Sequence, residues 1–120
     1  MIPVQIKCTN SEISLREIQE IEDTFYHAFD RFGHFIREAQ FTLRDANGPK
    51  GGVDKICSLQ LRFYPRGFAV VKNGGVSFQQ AANVACDRMQ LVASKRLSRR
   101  KSGPAKEFVK HKEEDYAYGN

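Results

Sequence analysis

The chain has 120 residues, a net charge of +5 and an apolar fraction of 41%. That is enough for one core and one domain, and nine Phe with 28% charged residues exclude a disordered chain over most of the length. No apolar run approaches ~18 residues, so no membrane-spanning helix is expected.

Residues 3–8, from Pro3 to Cys8, alternate apolar and polar and predict a short strand. Ser14-Leu15-Arg16-Glu17 has the spacing of a capping box, and Leu15, Ile18, Ile21, Phe25, Phe29 and Phe32 follow at helical intervals. Gly33 is expected to stop that helix as a left-handed cap residue. Ile36 to Asp45 reads as a second strand, with Ala39, Phe41 and Leu43 on one face and Gln40, Thr42 and Arg44 on the other. Residues 46–54 form a turn-rich loop rich in Gly, with Pro49 and Lys50 at its centre. A third strand places Cys57, Leu59, Leu61 and Phe63 inward, and Ser58, Gln60 and Arg62 outward. Pro65-Arg66-Gly67 connects it to a fourth, Phe68 to Lys72. Asn73-Gly74-Gly75 leads into a final helix from near Ser77.

The expected fold is therefore α+β, in the order β-α-β-β-β-α. Four strands, the last three an antiparallel meander, carry two helices on one face, because each helix has only one apolar stripe. The other face, with Gln40, Thr42, Arg44, Ser58, Gln60 and Arg62, is expected to be wet. Residues 1–101 make the domain, and 102–120 read as a flexible tail.

The final helix carries the strongest functional signal. Phe78, Ala82, Ala85, Met89 and Val92 form its core stripe, with Ala81 adding to the small residues that let it lie close to the sheet. From Arg88 to Lys101 there are six cations and no acid: Arg88, Lys95, Arg96, Arg99, Arg100 and Lys101. Arg88, Lys95 and Arg99 fall on one flank of the helical wheel, whereas Arg96 and Arg100 project at the tip. The macrodipole at a helix C-terminus rewards one or two cations by roughly 0.3–1 kcal/mol each. Six without a counter-charge exceed that need and point to a polyanion, above all nucleic acid. Lys50, Lys55, Arg62 and Arg66 are possible additions from loops and strands. Tyr64 and Phe68, beside Arg62 and Arg66, could stack on bases, but packing in the core or at its rim is the better account of both.

Other chemistries find little support. Gly48-Pro49-Lys50-Gly51-Gly52 lacks the Gly-Lys-Ser/Thr ending of a phosphate-binding loop. His27, His34 and His111 are scattered and no second ligand lies near them, so no metal is expected. Asp45 and Asp54 are lone loop carboxylates, so no acid–base pair, enzyme activity, cofactor or small-molecule substrate is expected. Cys8, Cys57 and Cys86, an odd number without CxxC spacing, fit buried small hydrophobes in a reducing, cytoplasmic setting. The first residues, Met1 to Ile6, lack the basic flank and cleavage site of a signal peptide.

These elements and residues together resemble the ribosome hibernation-promoting factors and ribosome-associated translation inhibitors, also called sigma-factor modulation proteins. The resemblance covers residues 3–101. It rests on Ile6 to Ser14 as first strand and helix entry, on Leu15-Arg16-Glu17, on Phe29-Asp30-Arg31-Phe32, on Gly74-Gly75, and on the segment Ala81 to Met89. Asp45 to Lys55 is similar to a loop in one divergent branch of the family. The resemblance implies a fold like that of double-stranded-RNA-binding domains. It implies binding in the messenger and transfer RNA channel of the small ribosomal subunit, with second-helix basic residues on ribosomal RNA. Arg88 then stands where the family has Lys or Arg, and Lys95, Arg96, Arg99 and Arg100 lie in its basic stretch. Glu17, Glu20, Glu22 and Asp23 depart from relatives that carry Lys there, so the first half of helix one is not expected to touch RNA. The tail is too short for the dimerisation domain of long forms, so a monomer that does not pair ribosomes is expected. A general double-stranded-RNA binder, and a protein-interaction module for an acidic partner such as a transcription factor, remain as alternatives.

Overall fold

The computed structural model describes residues 1–46, 55–101 and 116–119, with side chains described up to residue 99. In order come β1 (Val4–Cys8), α1 (Leu15–Phe29), a 3-10 turn (Asp30–Phe32), β2 (Ile36–Asp45), β3 (Lys55–Phe63), β4 (Phe68–Gly75), α2 (Phe78–Lys101) and β5 (Tyr116–Gly119). The sheet runs β1-β2-β3-β4-β5. β1 is parallel to β2, joined by the α1 crossover, and the remaining pairs are antiparallel.

Alternation sets the register. Ala39 opposes Leu61, Phe41 opposes Leu59 and Leu43 opposes Cys57, so the inward residues of β2 and β3 stack in rows. Both helices cover that face. Ile21, Phe25 and Phe29 of α1 join Phe78, Ala82, Ala85 and Met89 of α2 in one buried cluster with the sheet. Phe25 is its hub, 4.8 Å from Phe29 and 6.1 Å from Phe41 between ring centroids. Burying a side chain of this size stabilises the fold by about 1.5–3 kcal/mol. Ala81, Ala82 and Ala85 are fully buried, which lets α2 lie close to the strands.

Ser14 makes the expected capping box: its Oγ accepts from the Glu17 amide at 3.1 Å, and the Ser14 amide donates to Glu17 Oε1 at 3.0 Å. Leu15, expected inward, is 79% exposed. It sits in the first turn, and Ile13, just before the cap, packs on the core edge instead.

The end of α1 also differs from expectation. Gly33 is right-handed, with φ −54° and ψ −34°. The 3-10 turn closes the helix without a left-handed residue: Gly33 N–H donates to the Asp30 carbonyl at 3.0 Å and Phe35 N–H to the Phe32 carbonyl at 2.8 Å.

β4 runs three residues further than expected, because Asn73, Gly74 and Gly75 still pair with Cys57, Ile56 and Lys55. Gly75 has no room for a side chain; a Cβ would lie 2.9 Å from the Ala81 nitrogen. The close approach of strand end and helix start thus fixes where α2 begins.

From the sequence, residues 102–120 are expected to form a flexible tail. Tyr116–Gly119 instead form β5 along β4, from Val71 opposite Tyr116 to Phe68 opposite Gly119. The open edge of β4 supplies the pairing groups, and four residues are too few to announce a strand by alternation. Residues 47–54, with Lys50, and 102–115 lie outside the described residues.

Candidate nucleic-acid interface

The basic flank of α2 lies at the β4 side of the helix. Arg88 is half-buried and donates to the Lys72 carbonyl of β4 at 3.2 Å. Two and three turns further on, Lys95 and Arg99 are exposed. Arg96 turns the other way. Its guanidinium lies 4.7 Å from the centroid of the Phe63 ring and donates to the Arg66 carbonyl at 3.4 Å. The tip of α2 is thereby held against the β3–β4 turn, and Arg66, exposed in that turn, joins it. Arg100 and Lys101 belong to α2, but their side chains lie outside the described residues.

The topology brings two further cations to the same end. The chain enters β2 beside the β3–β4 turn, since Tyr64 N–H donates to the Phe35 carbonyl at 2.9 Å. Arg37, the second residue of β2, places its guanidinium 5.1 Å from the centroid of Tyr64 and donates to the Pro65 carbonyl at 3.4 Å. Arg31 lies 4.7 Å over Phe32 in the 3-10 turn that precedes Phe35. One end of the molecule therefore carries Arg31, Arg37, Arg66, Lys95, Arg96 and Arg99, with Asp30 next to Arg31 and Glu38 next to Arg37 in sequence. Sequence reasoning missed Arg31 and Arg37. Their signal is the order of elements: in a meander, the start of β2 and the β3–β4 turn lie at one end.

Two predicted candidates are paired with acids. Lys55 is directly opposite Asp45 across β2 and β3, and its Nζ lies 3.2 Å from the carboxylate. The pair is largely buried, at 23% and 14% side-chain exposure, and the same ammonium is 5.8 Å from the Phe78 ring centroid. Its charge is committed to joining the hairpin to the start of α2. Arg62 faces away from both helices and meets Glu38 at 3.3 Å, with about half of each side chain exposed.

The opposite flank is acidic. A groove of about 600 Å³ between α1 and α2 is lined by Asp23, Thr24, His27, Asn83, Asp87 and Gln90 among others. Its two carboxylates repel a phosphate backbone, so the groove and the basic end differ in the ligands they admit.

Cys57 and Cys86 are buried, and burial pushes each thiol up to about 12. They are packing groups at neutral pH. No cluster of His, Cys, Asp or Glu able to hold a metal occurs among the described residues. No helix among them is long and apolar enough to cross a membrane.

The chain is thus a mixed sheet with two helices on one face and a cationic end on the second helix. Two solved structures share the fold. One is the N-terminal domain of Protein Y from Thermus thermophilus, with a TM-score of 0.62 and 16% identity over 79% of this chain and 98% of that one. The other is a ribosomal subunit interface protein from Coxiella burnetii, with a TM-score of 0.69 and 9% identity over 81% and 99%. No protein-family model matches the sequence, and no curated protein matches it.

Proposed function

We propose that this chain is a ribosome-binding hibernation factor, not an enzyme, that holds small subunits idle by occluding their messenger and transfer RNA channel. The observation that carries the reading is the one-ended charge. Arg66, Arg88, Lys95, Arg96 and Arg99, with Arg100 and Lys101 in the last turn of the helix, gather cations from several elements at the tip and flank of α2, while the groove between the helices is acidic. The likeness in fold to a ribosomal subunit interface protein gives that charge an object, ribosomal RNA. Backbone phosphates supply affinity, and the shape of the domain selects the site. The protein acts as a monomer in the cytoplasm.

Neutralising four to six phosphates gives a log–log salt slope of roughly −3 to −5. The test is a competition. A bare RNA duplex should displace the protein from small subunits only at large excess. Equal affinity for duplex and subunit would favour a general double-stranded-RNA binder. Capture that survives nuclease digestion would favour an acidic protein partner.

A further inference from the structure

The β3–β4 turn carries an exposed aromatic ring where an aromatic is not needed for the core. Tyr64 is 45% exposed, whereas Phe63 beside it is 1% exposed and Phe68 across the turn is half-buried. The turn presents the ring among cations. Arg37 stands 5.1 Å from the ring centroid and is tied to the Pro65 carbonyl, and Arg66 is exposed two residues on. Arg96 grips the Arg66 carbonyl, so the turn is braced from α2. Gly67, at φ 105°, lets the backbone reverse, and its carbonyl accepts from the Phe63 amide at 2.9 Å.

We propose that this turn is a stacking site for an unpaired RNA base, with Tyr64 as the platform, Arg37 as the residue that positions the ring, and Arg66 on the adjoining phosphate. This inference rests on the ribosomal RNA reading and deepens it. A duplex buries its bases and offers nothing to an exposed ring, whereas a single-stranded base can stack on it and leave its phosphate to a neighbouring guanidinium. Because every base has a π-face, the site selects unpaired nucleotides and not a sequence.

The experiment uses the full chain and two RNAs: a hairpin with a short single-stranded adenosine overhang, and the same hairpin made blunt. The wild type should prefer the overhang hairpin, by about tenfold if one base stacks. Tyr64→Ala should abolish that preference and leave blunt-hairpin affinity unchanged, measured at a temperature where the variant stays folded. Tyr64→Phe should keep the preference. Arg37→Ala should reduce it in part. An overhang preference untouched by Tyr64→Ala, or lost equally in Tyr64→Phe, overturns the stacking site even if small subunits still bind. Failure to bind either hairpin or small subunits overturns the site and the ribosomal reading together.

Discussion

The guanidinium of Arg96 lies 4.7 Å from the centroid of Phe63, a ring that is 1% exposed and that itself packs 4.9 Å from Phe35. A residue read from charge as part of the polyanion surface is thus also a strut. It ties the last turns of α2 to the end of the sheet where the other cations collect.

Arg96 and Lys95 should therefore separate. Arg96→Ala loses a cation–π contact and a hydrogen bond, so it should lower stability by about 1–2 kcal/mol as well as weakening RNA affinity. Lys95→Ala, exposed, should leave stability within about 0.5 kcal/mol and reduce only affinity and the salt slope. Chemical denaturation beside a salt-dependent binding series measures both.

Lys55 should behave in the opposite way. Lys55→Ala leaves Asp45 mostly buried without the ammonium 3.2 Å away, at a cost of about 1–3 kcal/mol. RNA affinity, measured at a temperature where the variant stays folded, should match wild type. A selective loss of affinity with unchanged stability would return Lys55 to the interface.

The two buried thiols predict an alkaline limit. Burial raises Cys57 and Cys86 from the ordinary 9.0 to about 12, so the fold favours their neutral form. The unfolded chain ionises first. Their contribution is complete below pH 9 and is lost as pH rises toward 12. Urea midpoints should fall through that window, less steeply in Cys86→Ala, and both thiols should resist alkylation at neutral pH until the protein unfolds.

Gly75→Ala should cost about 1–3 kcal/mol, because the added Cβ meets the Ala81 nitrogen at 2.9 Å and backbone must move. The displacement acts at the start of α2, so a loss of subunit affinity should accompany the lower unfolding temperature.

The fold was legible where local chemistry and periodicity agree. The Ser14–Glu17 box, the alternation of β2 and β3, and the Phe78–Val92 stripe are each complete within a few turns or residues. What sequence did not show depends on distant partners. β4 reaches Gly75 only because β3 is there to pair with it, and β5 exists only as an addition to the β4 edge. The basic surface proposed as the interface was legible along α2, where six cations lie within one element. The partners of Lys55 and Arg62 come from cross-strand register, and Arg31 and Arg37 reach the basic end by topology. None of these leaves a mark on a single stretch of chain.

The most direct measurement is co-sedimentation with purified small ribosomal subunits at low salt, using wild type and a variant with Lys95, Arg99 and Arg100 reversed to Glu. Circular dichroism checks that the variant keeps its fold. The account predicts that wild type pellets with subunits, is released as salt rises, and that the reversed variant stays in the supernatant. Wild type that does not pellet, or a reversed variant that pellets as well as wild type, would contradict it.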